Sequence, residues 1–285
     1  MDKESQPVDV LMCVGPQDMN SIFIYSVRSC FKNFKNISNL YIVSPKKELL
    51  KKKLEKFDFF TRCEFLHDSD ILHESLVNED GWYRQQIIKL SAHNICQTEL
   101  IGSLCSDTVI LSQLSMSDFV DNNGLPIIFY RIHQDDSPHS IYEQERVKHV
   151  CNTLKVNGKK ALEHYDFIID FKICEARILK DLNLYLENKY GAKYFKTISP
   201  GKCSTLKEKV VMAEWTLYGA YVSDIYNEKR IFKGYDDSFI TQIHSKNDYD
   251  RFEYNSKIVH FVHKHLNFDV IGTKLNSVLK QKVLK

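Results

Sequence analysis

The sequence predicts an α/β domain carried by a mostly parallel, Rossmann-like twisted sheet with helices on its faces. Three observations predict it: short apolar runs closed by Gly or Pro, helical periodicity between those runs, and their alternation over residues 8–66. Val8 to Val14 stops at Gly15-Pro16, the pattern of a buried strand that hands its end to a loop. Residues 19–34 then place Ile22, Phe23, Ser26, Val27 and Cys30 at helical spacing. Leu40 to Val43 reads as a second buried strand, halted at Ser44-Pro45, because proline cannot donate to a ladder. A second helix over 46–56 and a third strand over Cys63–Leu66 complete the alternation. Sheets wound in this way take ligands in the crevice beyond the carboxyl ends of their strands.

Further along, Trp82 to about Cys96 reads as a strong helix, and Ser106–Leu111 and Pro126–Arg131 as strands. Residues 133–157 are polar and charged, suiting a loop and a surface helix. Phe167–Lys172 resembles a short strand, residues 211–226 an aromatic-rich helix, and Lys257–His263 the last strand. No internal repeat, low-complexity stretch or compositional break interrupts the 285 residues, so a single domain is expected.

Composition excludes several function classes. Lys and Arg total 39 against 37 Asp and Glu, which leaves no broad basic face for a polyphosphate backbone, so nucleic acid is not expected as a partner. The eight cysteines are scattered without a C-x-x-C pair, as in reduced cytoplasmic proteins. The start of the chain lacks the basic and apolar stretches of a secretion signal, and no later run approaches a membrane span. Near the end, Leu275, Val278, Leu279, Val283 and Leu284 stand among lysines; such a helix either docks on its own domain or rests weakly on an anionic membrane surface. Neither a P-loop nor a G-x-G-x-x-G is present, against an ATPase or a dinucleotide-dependent dehydrogenase.

The most informative stretch for chemistry is Leu104–Leu111, where one carboxylate, Asp107, heads an apolar run. It either caps the turn before a strand or holds a divalent cation against a diphosphate leaving group. On the helix over 82–96, Arg84, Gln85 and Lys89 form either an exposed polar face or a donor set for phosphate oxygens and sugar hydroxyls. Gln85 and Lys89 share a face by their spacing, while Gln86 is expected to point elsewhere. Gly15, Pro16, Asp18 and Asp68 follow the first and third strands, where they act as ordinary turn formers or approach a nucleotide.

Gly81-Trp82-Tyr83-Arg84-Gln85-Gln86-Ile87-Ile88-Lys89-Leu90, then Ser106-Asp107-Thr108-Val109-Ile110-Leu111, then Glu214-Trp215-Thr216-Leu217-Tyr218-Gly219-Ala220-Tyr221 recur in an order that resembles a DUF6492-like group of GT-A-like glycosyltransferases. That group is found in bacterial polysaccharide clusters and large viruses. With the strand ends Gly15-Pro16 and Ser44-Pro45, the resemblance covers residues 8–265. It implies one GT-A-like domain whose residues 8–110 bind a nucleotide-sugar donor, UDP by default, and whose residues 111–265 bind a glycan acceptor, with 266–285 as a tail. Ser44 and Ser106 join the donor site through those motifs.

The resemblance further implies a Mn²⁺ or Mg²⁺ ion. The strand head in the group usually reads Asp-Ser-Asp, and here Cys105 replaces the first carboxylate, leaving Asp107 to lean on other ligands. A late histidine often completes such shells, which points to His260 ahead of His263. Glu214, at the start of the aromatic helix, is the implied general base of an inverting transfer; by itself it also reads as a glutamate favouring the helix dipole. Trp215 and Tyr218 either stack on an acceptor sugar or fill the core. The alternatives are a degenerate glycan- or nucleotide-binding module, favoured by Cys105, and a sugar nucleotidyltransferase, which normally shows a glycine-rich basic signature after strand one.

Overall fold

A computed structural model describes residues 3–19, 21–76, 78–131, 138–164, 166–198, 213–226, 228–243 and 256–261. In chain order its first elements are strand β1 (Val8–Cys13), helix α1 (Ser21–Asn33), β2 (Ile37–Val43), α2 (Lys47–Leu54), β3 (Cys63–Leu66), α3 (Gly81–Leu90), β4 (Leu100–Leu104) and β5 (Thr108–Ile110). There follow β6 (Ile128–Arg131), α4 (Pro138–Leu154), α5 (Lys159–His164), β7 (Phe171–Glu175), α6 (Ala176–Tyr190) and α7 (Tyr194–Thr197). The last described elements are α8 (Glu214–Asp224), β8 (Phe232–Tyr235), β9 (Ile240–Ile243) and β10 (Ile258–Phe261).

The central sheet has the order β3-β2-β1-β4-β7. Its first four strands are parallel and β7 runs against β4. All six residues of β1 are buried, as both faces are covered. Val8, Val10 and Met12 enter one core with Phe23, Phe34, Phe119 and Phe171, while Leu11 and Cys13 enter the other with Ile87, Leu179 and Leu217. Phe34, Phe119 and Phe171 meet edge to face at 5.2–5.9 Å, which adds about 0.5–1.5 kcal/mol per pair to their burial. Asp9, buried within β1, is tolerated because its carboxylate accepts from the backbone N–H groups of Asn39, Gln97 and Thr98 at 3.2, 2.7 and 3.2 Å.

Several expected boundaries shift. Strand β4, central to the sheet, is not among the expected elements: its Gly102 and Ser103 lower β-propensity, yet a Cβ on Gly102 would stand 2.9 Å from the Val10 side chain. The helix expected to reach Cys96 ends at Leu90, where the Ser91 N–H folds back onto the carbonyls of Ile87, Ile88 and Lys89. Strand β7 starts at Phe171 rather than Phe167, and β5 keeps only Thr108–Ile110, leaving Ser106 and Asp107 in the turn before it. The strand expected over 257–263 is described over Ile258–Phe261; His263, the tail 266–285 and the start of the 211–226 helix at 211–212 lie outside the described residues. No helix among the described residues is long and apolar enough to cross a membrane.

A second, three-stranded sheet, β5-β10-β9, and a two-stranded one, β6-β8, stand beside the main sheet. Their placement matters for chemistry. β10 pairs antiparallel with β5 so that His260 faces Thr108, and parallel with β9 so that His260 neighbours Gln242.

Candidate functional site

A cleft of about 230 Å³ opens beyond the carboxyl ends of β1 and β4 and is lined in part by Asp18, Trp82, Gln85, Gln86, Lys89, Ser106, Asp107, Asp170, Glu214, Trp215 and His260. Strand geometry explains who is there. β4 ends at Leu104 and releases Cys105, Ser106 and Asp107 into a tight turn, closed by the Thr108 N–H donating to the Cys105 carbonyl at 3.1 Å. The Asp107 carbonyl in turn accepts from the Phe261 N–H at 3.0 Å, which locks the turn to β10.

On this floor the imidazole of His260 sits between two carboxylates: its Nδ1 lies 3.3 Å from Asp107 Oδ1 and 3.2 Å from Asp170 Oδ1. The same nitrogen is 3.0 Å from Thr108 Oγ1. Burial alone would push the His260 pKa down, but Asp107 and then Asp170 outweigh it and hold the pKa above the usual histidine value. Gln242 donates from Nε2 to Asp170 Oδ2 at 3.2 Å, and Arg131 donates to the Gln242 carbonyl oxygen.

The opposite wall is helical. Lys89 on α3 donates from Nζ to Glu214 Oε1 on α8 at 2.9 Å, with side chains 11% and 4% exposed. Burial pulls the Lys89 pKa down and Glu214 pulls it up; the attraction wins, so Lys89 stays an ammonium. Gln86 Oε1 accepts the Glu214 N–H at 3.2 Å, satisfying one of the N–H groups a helix start leaves open. Burial pushes the Cys105 thiol well above its ordinary value, despite the counteracting Lys89, so it stays a neutral thiol.

Of the residues singled out from the sequence, Asp18, Gln85, Lys89, Ser106, Asp107, Glu214 and His260 meet in this cleft. Gly15, Pro16, Ser44, Asp68 and Arg84 are not among its lining residues. Ser44 accepts the Lys46 N–H at 3.1 Å as a turn former, and Asp68 is buried, 3.3 Å from Arg84 and 3.1 Å from His67. Gly15 touches the site only through its N–H, which donates to Asp18 at 3.1 Å. Gln86, expected to face elsewhere, lines the cleft with Gln85 and Lys89: the wall spans more of the α3 surface than one i, i+4 row. Trp215 lines the cleft, whereas Tyr218 is core.

The residue most clearly missed is Asp170. It carries the same local signal as Asp107, a carboxylate directly before an apolar strand, but its place follows from the antiparallel pairing of β7 with β4.

Among the described residues no three His, Cys, Asp or Glu side chains enclose a metal ion as they stand. Two carboxylate oxygens lie 3.2 and 3.3 Å from the one His260 ring nitrogen as an ion-paired group, and a cation would have to displace the proton they share with it.

A family model described as a family of unknown function, DUF6492, matches residues 18–281. Comparison with curated proteins finds no match. Among solved structures, the galactosyltransferase LgtC in complex with donor and acceptor sugar analogs is similar over 96% of this chain and 96% of its own, with a TM-score of 0.53 and 8% identity. Mouse xyloside xylosyltransferase 1 in its apo form aligns over 91% of this chain and 99% of its own, with a TM-score of 0.49 and 14% identity. The fold is therefore the GT-A-like α/β fold of glycosyltransferases.

Proposed function

The chain belongs to the DUF6492 family, which carries no assigned activity, and we propose that it is a glycosyltransferase that moves a sugar from a nucleoside diphosphate, UDP by default, to a hydroxyl of a glycan. The observation that carries this reading is the meeting of Asp107, Asp170 and His260 with Lys89 and Glu214 in one cleft beyond the strand ends, where such sheets take ligands. Residues before 110 supply Asp18, Lys89 and Asp107, and later ones supply Asp170, Glu214 and His260, so both parts of the chain serve the cleft.

In this reading Asp107 and His260 would hold a Mn²⁺ or Mg²⁺ ion, which would offset the charge on the departing diphosphate. Lys89 presents its ammonium to the phosphate oxygens. Glu214 receives the proton of the acceptor hydroxyl in a direct, inverting displacement. Lys89 occupies Glu214 Oε1 at 2.9 Å, so that oxygen meets the acceptor hydroxyl only after Lys89 turns toward the donor. Donor therefore binds before acceptor. Trp82 and Trp215 offer aromatic faces to the base or a sugar ring.

The test is a panel of nucleoside diphosphates and their sugars, followed by thermal shift and by hydrolysis with and without Mn²⁺. Stabilisation by one nucleotide together with slow release of its sugar supports the reading. Binding without any turnover, across donors and acceptors, points instead to the binding module that Cys105 favours. Absence of both removes the transferase reading.

A further inference from the structure

We infer that the outer face of α2 and the aromatic turn behind it form a docking surface for an anionic lipid bilayer. The surface lies at the β3 edge of the central sheet, and none of its residues lines the cleft. The inference therefore goes beyond the transferase reading and does not depend on it.

The near balance of charge over the whole chain hides a local excess. Residues 46–62 carry seven Lys and Arg against three Asp and Glu, so the rest of the chain is net negative. Leu50 and Leu54, both 0% exposed, fasten one face of α2 to the core and turn the lysines outward. Lys46, Lys51, Lys52 and Lys56 are exposed, and of the six lysines only Lys47 meets a carboxylate among the described residues, Asp70 at 3.2 Å. Leu49, 47% exposed, stands one helical turn before Lys52 and Lys53 on the outward face. An apolar tip ringed by cations that have no carboxylate partner gains on a surface of negative headgroups over hydrocarbon, where the lysine stems add apolar contact. Clusters of about four to eight basic residues on such a helix are the ones that anionic membranes attract.

Aromatic packing behind the helix stiffens this surface and decides against nucleic acid as its occupant. Phe59 stacks on Phe31 at 4.9 Å and on Phe57 at 5.2 Å, and Arg62 and Arg28 lie over those outer rings at 4.8 and 5.0 Å. Arg62 is itself fastened to the carbonyls of Ile37 and Ser38. The ring faces are thus engaged within the protein, where a single-stranded nucleic acid would need them open for its bases. Phe31, Phe57 and Phe59 are nevertheless only half-buried, and Lys56 stands beside them with its ammonium 5.5 Å from the centre of the Phe57 ring. Phenylalanine rings next to a lysine suit the boundary between headgroups and acyl chains.

The experiment is co-sedimentation of the full chain with vesicles of phosphatidylcholine, with and without phosphatidylglycerol. Wild type binds the vesicles that contain phosphatidylglycerol, leaves them as salt is raised and ignores phosphatidylcholine alone. A lysine at such a surface is worth about fivefold in partitioning, so Lys51→Gln, Lys52→Gln and Lys56→Gln together weaken binding at least about tenfold. Leu49→Ser weakens it by a smaller factor, and serves should the triple variant fail to fold by circular dichroism. Lys280→Gln with Lys282→Gln and Lys285→Gln, in the C-terminal tail, leaves binding unchanged. A wild type that does not bind overturns the inference, as does equal binding by the α2 variants. Loss confined to the tail variant overturns it by moving the contact to the tail. So does a wild type that binds a single-stranded oligonucleotide but not these vesicles. Turnover of a sugar nucleotide is read separately, so failure of the transferase reading and failure of this one are told apart.

Discussion

The cleft beyond the end of β4 has a counterpart at the strand's other end. That second cavity measures about 590 Å³, against about 230 Å³ for the cleft, and is lined by Gln6, His93, Glu99, Glu175 and Arg177 among others. Its charges close on one another. Glu175 is bonded by Arg230 at 2.6 Å and by Arg177 at 3.0 Å, and both arginines also hold Glu228, at 3.1 and 2.8 Å. In the cleft, two carboxylates share one imidazole and a third carboxylate holds one ammonium, all facing an open space. Volume therefore ranks these two hollows in the wrong order for chemistry. What separates them is that the cleft gathers two carboxylates around one imidazole and raises its pKa, the kind of perturbed group that marks a functional site.

Breaking the front pair should have the largest effect. Lys89→Met leaves the buried Glu214 without its ammonium and is expected to cost about 3–5 kcal/mol of stability in urea denaturation. It should also abolish nucleotide binding in a titration. Replacing both partners, Lys89→Met with Glu214→Leu, restores most of the stability, because an apolar pair often substitutes well for a buried ionic one. Nucleotide affinity should stay lost. If the double variant binds nucleotide again, the Lys89–Glu214 pair is as purely structural as the network at the rear.

The rear predicts the reverse. Glu175→Ala strips one carboxylate from Arg230, whose side chain is 1% exposed, and leaves Glu228 as its remaining anion. A loss of about 3 kcal/mol is expected. Mn²⁺ and nucleotide affinities of the folded protein should not move, and a tenfold change in either would merge the two ends into one functional unit.

How much of this contrast was legible beforehand depends on where each signal lives. β1, β2 and β3 announce themselves through apolar runs stopped at Gly15-Pro16 and Ser44-Pro45, features contained within a few residues. β4 does not, because Gly102 is chosen by the Val10 side chain it packs against, a partner far away in sequence. Asp107 stands out at the head of an apolar run and Glu214 through the family resemblance, and the cleft does bring them together. Asp170 shares the local pattern of Asp107, yet its place beside His260 follows from the antiparallel pairing of β7 with β4, which no window of sequence contains. The Lys89–Glu214 pair, too, is a contact between helices that a helical wheel drawn on α3 alone cannot show.

Packing between α8 and the strand-end segment offers an intermediate effect. Gly219 sits on α8 against the ring of fully buried Phe167, and a Cβ there would come within 2.5 Å of it. Gly219→Ala must push α8 away from the segment that leads into Asp170, at a cost of about 1–3 kcal/mol. Mn²⁺ affinity should fall along with stability. A loss of stability with Mn²⁺ affinity intact would mean that the carboxylate floor is positioned by β9 and β10 rather than by the helix.

The smallest expected effect is the most specific, because it reads a single group just behind the cleft. Lys172 on β7 is buried, donates to the Phe167 carbonyl at 3.0 Å and lies 4.4 Å from the centre of the Trp215 ring. Burial first, with Lys89 adding to it, pulls its pKa from 10.5 down to about 7, although Cys174, Glu214 and Asp166 pull the other way. The unfolded chain keeps the proton on this amine up to its ordinary value, whereas the folded protein releases it near neutrality. Between about pH 7 and 10.5 the unfolded state thus binds more protons, and Lys172 makes stability rise with pH across that window. Its contribution is bounded at about 1.4 kcal/mol per pH unit, and about 1 kcal/mol between pH 8 and 9 is expected. Urea denaturation at both pH values, compared between wild type and Lys172→Met, isolates the term, since all other groups titrate in both proteins. Parallel behaviour of the two would mean that the Trp215 ring and the Phe167 carbonyl keep Lys172 charged in the fold, so that the cleft has a second fixed cation behind its aromatic wall.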